Sequence, residues 1–155
     1  MSKNNSPASN FPNSQNAFLT EFDLYLLGEG NHWKSYEKLG AHFREVDGVL
    51  GVNFAVWAPN ATAVSVIGEF NNWNGNANPM FKHIPTGFWE VFIPGVKEWA
   101  TYKYLVRNGD IVFEKSDPVG FYAETPPYTA SKVVNLDRFQ WNDADWLEKR
   151  RNHNN

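Results

Sequence analysis

The chain of 155 residues contains no cysteine, which removes disulfides, thiol nucleophiles and thiolate metal sites together. No run approaches the roughly 18 apolar residues of a membrane span. Nor does a basic stretch followed by an apolar one open the chain as a secretory leader would. These absences predict a cytoplasmic protein with no membrane partner, and they reduce the sequon Asn60-Ala61-Thr62 to a turn. Basic residues are few and scattered, 14 against 17 acids, for a net charge of -3. The basic cluster Lys149-Arg150-Arg151 closes a candidate short helix, where cations suit the dipole. Without a basic stripe, nucleic acid is not an expected partner. The four histidines show no metal-ligand spacing. A Gly-rich phosphate loop and a Gly-x-Ser-x-Gly motif are missing too. Neither a metal nor a cofactor is expected.

Aromatic residues are abundant instead: seven Trp, six Tyr and twelve Phe make 16% of the chain. Most must be core, and the surplus points to a binding surface. Residues 1–16 are Asn, Ser and Pro with little else, a composition that cannot offset chain entropy by burial, and read as a disordered tail. Residues 17–47 read as a helical lead-in. Thr20 with Asp23 caps a helix with an apolar face of Phe22, Leu24, Leu26 and Leu27, which Gly28 and Gly30 stop, and a turn-rich piece from Trp33 to His42 follows.

From Val49 the apolar period changes to two. Val52, Phe54 and Val56 alternate along one strand, and Val64 and Val66 along the next. Met80 to Ile84 is a weak strand, and Trp89, Val91 and Ile93 face opposite to Phe88, Glu90 and Phe92. Tyr102, Tyr104 and Val106 alternate with Lys103, Leu105 and Arg107, and Asn108-Gly109 signals a two-residue hairpin. Lys132 to Leu136 supplies a last strand. Trp57 and Trp89, inside strands, are expected in the core or in inter-sheet packing. Asp110, Glu114, Asp117 and Glu124 read as solvated turn acids, and Tyr122 and Tyr128 as a loop over the sheet edge. The predicted fold is all-β: an immunoglobulin-like β-sandwich over 48–138, with a short helical N-terminal extension and a linker helix in 139–155. Trp141 and Trp146 are expected to dock on a further domain.

The run Glu69-Phe70-Asn71-Asn72-Trp73-Asn74-Gly75 follows a strand directly. A Trp in an Asn/Gly turn is placed to present a flat ring to solvent. Flat rings flanked by amides suit sugars, whose C–H faces stack while their hydroxyls need partners. The alternative is a turn Trp folded back over the sandwich edge. Asn72 and its neighbours Asn71 and Asn74 can serve hydroxyls, yet Asn and Gly are also what a tight turn demands.

Lys38-Leu39-Gly40-Ala41-His42, Phe54-Ala55-Val56-Trp57-Ala58-Pro59-Asn60-Ala61, the Val64 to Trp73 run, Tyr102-Lys103-Tyr104 and Lys115-Ser116-Asp117-Pro118 together resemble the amino-terminal part of bacterial 1,4-α-glucan (glycogen) branching enzymes. That part contains a family 48 glycogen-binding carbohydrate-binding module. The resemblance runs from about Phe22 to Arg151, and the Gly-Ala-His block favours branching enzymes over other carriers of the module.

The resemblance implies that α-1,4-glucan, as glycogen or amylose, is the ligand, and that a catalytic (β/α)₈ barrel is the partner domain. A barrel needs about 250 residues, so no catalytic residue and no branching activity are expected in this chain. It also implies that Lys103 lies beside the stacking Trp73 and donates to sugar hydroxyls; an ordinary solvated strand lysine is the alternative. Strong glycogen binders carry a second Trp before the Asp-Pro turn, where this chain has Phe113 and Glu114, so Phe113 is the candidate replacement. The rival function is a structural domain that braces the barrel with little sugar binding of its own.

Overall fold

The computed structural model describes residues 17–138, with 148 and 150 as isolated positions. The expected tail over 1–16, the linker helix over 139–155 and the docking of Trp141 and Trp146 lie outside the described residues. Within them, helix α1 (Glu21–Gly28) precedes eight strands: β1 (Gly40–Val46), β2 (Val49–Trp57), β3 (Ala63–Gly68), β4 (Phe81–His83), β5 (Phe88–Pro94), β6 (Thr101–Asn108), β7 (Ile111–Lys115) and β8 (Ser131–Lys132). They form two antiparallel sheets, β1-β2-β5-β4 and β3-β6-β7, with β8 pairing β6 where β7 leaves it. This is the expected all-β sandwich.

Period-two alternation places the core. Val52, Phe54 and Val56 of β2 and Trp89, Val91 and Ile93 of β5 face Val64, Val66, Tyr102 and Tyr104 of the second sheet, in one buried cluster. Asn78 and Met80 bond to β3, whereas Phe81–His83 pairs with β5, so one segment crosses from sheet to sheet.

Strand pairing begins earlier than the change of period at Val49. Residues 40–46, expected within the helical lead-in, are a strand paired with β2 from Gly40↔Ala55 to Val46↔Val49. Asp47 and Gly48 make the hairpin, both at positive φ (51° and 77°), as a two-residue loop of matching twist requires. The second hairpin is displaced by one residue from expectation: Asn108 pairs with Ile111, leaving Gly109 and Asp110 at the tip. The last strand is shorter than expected, Ser131–Lys132, and Leu136–Arg138 forms a 3₁₀ turn instead of strand.

The first sheet is buried on both faces. Its outer face, from Ala55 and Phe88, packs with Leu19, Leu24, Leu27 and Leu39 of the lead-in. Gly51 lets the Phe92 ring cross β2, since a Cβ there would meet that ring and the Ile93 carbonyl. Leu24 and Leu27 are the packed pair of the helix. Phe22, expected on its apolar face, is 68% exposed, and Asp23 is the buried residue. Trp89 is core, its indole N–H donating to the Ala58 carbonyl at 2.9 Å. Trp57 is 58% exposed rather than core. It shares the parity of Asn53 and Ala55 and falls on the outer face, beyond the deepest cover of the lead-in.

Two carboxylates tie the lead-in down. Glu90, buried on β5, accepts the Phe18 and Leu19 N–H groups, the Asn53 amide at 3.1 Å and His83 Nε2 at 2.6 Å. Asp23 reciprocates the Thr20 cap and pairs with His32 at 3.1 Å and Lys38 at 3.0 Å. Burial by itself raises the Asp23 carboxyl, but the Thr20 N–H and hydroxyl, Lys38 and His32 hold it well below the usual range.

A depressed carboxyl adds stability above its unfolded value of about 3.9 and loses it as pH falls. Thermal melts should therefore show an acid-side loss of Tm below about pH 4, and Asp23→Asn should flatten that limb. Glu90→Ala orphans several buried donors and should cost about 3 kcal/mol. In hydrogen exchange, the Phe18 and Leu19 amides should lose protection before the β2 and β5 amides do.

Candidate functional site

The Trp73 loop starts at the end of β3, where Glu69–Asn71 forms a 3₁₀ turn. Asn72 follows at φ 53°, and the Trp73 N–H closes back on the Gly68 carbonyl at 2.9 Å. This closure resembles the Schellman ending of a helix, for which Asn in the left-handed region is well suited. Trp73 is itself at φ 58°, a conformation a bulky residue seldom adopts. The amide of Asn71 is consumed internally: its Nδ2 donates to the Val66 carbonyl (2.9 Å) and to Asn78 Oδ1 (2.8 Å), and its Oδ1 accepts the Gly68 N–H (3.0 Å). Asn74 Oδ1 accepts the Asn76 N–H. Gly75 then lies against Leu105 so closely that a Cβ would overlap it. The loop is thereby folded onto the outer face of the second sheet.

That face follows from the parity of β6. Tyr102, Tyr104 and Val106 point into the core, so Lys103, Leu105 and Arg107 point out. Directly paired residues share a face, which puts Glu114, opposite Leu105, beside Lys103. Trp73, Lys103 and Glu114 line one concavity of about 510 Å³, with Glu69, Thr101 and, from the far side, Glu124 and Tyr128. Trp73 is 43% exposed there. Lys103 reaches Glu114 at 3.6 Å, Glu69 accepts the Thr101 N–H at 3.4 Å, and Glu124 accepts the Ala130 N–H at 3.1 Å. Among the named walls, one ammonium stands among three carboxylates, a lining rich in both donors and acceptors.

Two of the four candidate residues thus share the cavity. Asn72 is exposed beside Trp73 but outside the lining, and its backbone conformation accounts for its identity. Phe113 is separated from the cavity altogether: it pairs with Val106 and takes the opposite face of β7, with Lys115 over its ring at 5.3 Å. Glu69, Glu114, Glu124 and Tyr128 also line this cavity and are not marked for it by any motif in the sequence. For Glu114 the signal was available, since it follows Phe113 by one and must take the other face.

Asp117, expected to be a solvated turn acid, is buried. It accepts the hydroxyls of Tyr102 at 2.6 Å and Tyr104 at 3.0 Å, and the Val119 N–H at 2.9 Å. Burial raises its pKa more than these hydrogen bonds lower it, and burial beside Asp117 raises both tyrosines.

Residues 38–120 match the family model for carbohydrate-binding module 48 (isoamylase N-terminal domain). The chain is 56% identical over 138 residues to a 1,4-α-glucan branching enzyme of Trichodesmium erythraeum, covering 88% of this chain and 18% of that protein. It is 54% identical over 136 residues to one of Saccharophagus degradans, covering 86% and 19%. The chain therefore spans less than a fifth of the length of these relatives.

Among solved structures it superposes on a pullulanase from Bacillus acidopullulyticus with TM-score 0.54 at 22% identity, covering 71% of this chain and 13% of that one. A Klebsiella pneumoniae pullulanase complexed with maltotriose gives TM-score 0.51 at 25% identity, covering 64% and 10%. The family model matches more than half of the chain: the chain belongs to the carbohydrate-binding module 48 (isoamylase N-terminal domain) family.

Proposed function

We propose that the chain is a non-catalytic α-glucan-binding module of a glycogen branching enzyme, which holds α-1,4-glucan near a catalytic barrel. The observation that carries this reading is Trp73, a half-exposed indole in a left-handed turn above a concavity that also holds Lys103. Strained, solvent-facing aromatics are costly to keep and concentrate at binding sites. An indole face stacks on pyranose C–H groups, while Lys103 donates to hydroxyls and the surrounding carboxylates accept from them. Holding one glucan strand raises the local concentration of the neighbouring substrate chains.

A second reading, a domain that braces the barrel, has its own observation. On the outer face of the first sheet, Trp57, Phe88, Leu27 and Leu39 line an apolar hollow of about 620 Å³, and Trp33 nearby in sequence is 93% exposed. Affinity electrophoresis through glycogen gels separates the two readings. Binding predicts retardation that Trp73→Ala abolishes and that Lys103→Ala reduces several-fold; bracing predicts free migration of all three proteins. Incubated with amylose, the purified chain should leave iodine staining and branch content unchanged.

A further inference from the structure

Tyr128 is 70% exposed, among the largest exposures of any aromatic in the sandwich, yet its position is not loose. It stands near the tip of a small hairpin. The Glu124 N–H donates to the Ala130 carbonyl at 2.9 Å, and Glu124 Oε2 takes the Ala130 N–H in return at 3.1 Å. The Tyr128 N–H closes the tip on the Thr125 carbonyl at 3.2 Å, and the Lys132 N–H closes the base on the Tyr122 carbonyl at 2.8 Å. The Ser116 hydroxyl, one residue beyond β7, donates to the Thr129 carbonyl and fastens the hairpin to the sheet. A ring held so far into solvent by a braced loop contributes little to the core.

Its surroundings suggest its use. Tyr128 lines the same concavity as Trp73, and this wall lies beyond the 38–120 stretch matched by the family model. The strand between the two rings offers no aromatic to the cavity, because parity gives it Glu114 and sends Phe113 to the other face. At about 510 Å³ the concavity is within the roughly 300–1,000 Å³ of small-molecule sites. Lys103 and the three carboxylates supply the polar groups along its floor and rim.

We infer that Tyr128 is the second stacking ring of the glucan site, so that an uncharged α-1,4-linked glucose chain is held between Trp73 and Tyr128. The inference rests on the glucan-binding reading of the same cavity. The backbone beneath both rings is fixed before any ligand arrives, at Trp73 by its closed turn and at Tyr128 by its braced hairpin, so stacking has only the side chains to order. The carboxylates favour a neutral polyhydroxyl ligand over an anionic one.

Calorimetric titration of the full chain with maltoheptaose and with β-cyclodextrin tests this. Tyr128→Ala should weaken binding about tenfold, which corresponds to about 1.4 kcal/mol. Tyr128→Phe, which keeps the ring, should stay within about twofold of wild type, and Tyr128→Trp should equal or exceed it. Tm should be unchanged in all three, as suits an exposed tip residue. Loss of binding in Trp73→Ala with none in Tyr128→Ala overturns the inference and leaves the glucan reading standing. Equal weakening in Tyr128→Ala and Tyr128→Phe overturns stacking in favour of the hydroxyl. A wild-type chain that binds neither ligand overturns the glucan reading and the inference with it.

Discussion

The arrangement of the second sheet depends on one buried carboxylate. Asp117 accepts hydrogen bonds from the hydroxyls of Tyr102 and Tyr104, two rings that reach across the core from alternate positions of β6. Both tyrosines must point inward to reach it, so the residue between them must point outward. Lys103 is on the open face for that reason. The Asp117 N–H is bound in turn by the Ser131 hydroxyl at 3.0 Å, on the strand that leaves the Tyr128 hairpin. One acid therefore sets the facing of β6 and anchors the loop on the far side of the cavity. A fully satisfied polar group of this kind is expensive to disturb, because removing it leaves two phenols unpaired in the core.

The outer faces of the two sheets are used differently. The first sheet is closed off by the lead-in, with Leu19, Leu24, Leu27 and Leu39 against Ala55 and Phe88, and with Glu90 gathering two backbone amides. Residues 17–37 are thus part of the packed unit although the family model begins at residue 38. On the second sheet the outward residues Ser65 and Ile67 of β3 and Thr101 of β6 are buried and the Trp73 loop lies on Leu105, while Lys103 and Glu114 border the concavity. The site is built from what remains uncovered.

Alternation made much of this legible. β2, β5 and β6 each have one apolar set at period two committed to the core, and the parity of Lys103 followed from Tyr102 and Tyr104 alone. β1 escaped because His42, Arg44 and Glu45 dilute its pattern; the surer sign was the Asp47-Gly48 turn that pairs it to β2. Trp57 was misjudged by a parity its own strand displays: Val52, Phe54 and Val56 are inside, so residue 57 is not. Phe113, suggested by the resemblance, takes the face opposite to Glu114 by the same alternation. Asp117 and Tyr128 were different in kind. The environment of Asp117 and the attachment of the Tyr128 hairpin are made by contacts between residues more than ten positions apart, which no local period encodes.

The loop that carries Trp73 leaves β3 and returns to it: Val66 bonds to Asn78, Met80 bonds to Val64, and Asn71 bridges both limbs. Its two ends are riveted to the same strand, so it cannot swing as a flap without breaking sheet hydrogen bonds. A surface with no flap has no closing step to wait for. Association with a long polymer would then proceed at the rate of encounter, and the time a chain stays would be set by how fast it lets go. If glucan is the ligand as proposed, a grip of that kind would let one strand be exchanged for the next without unfolding or refolding any part of the module.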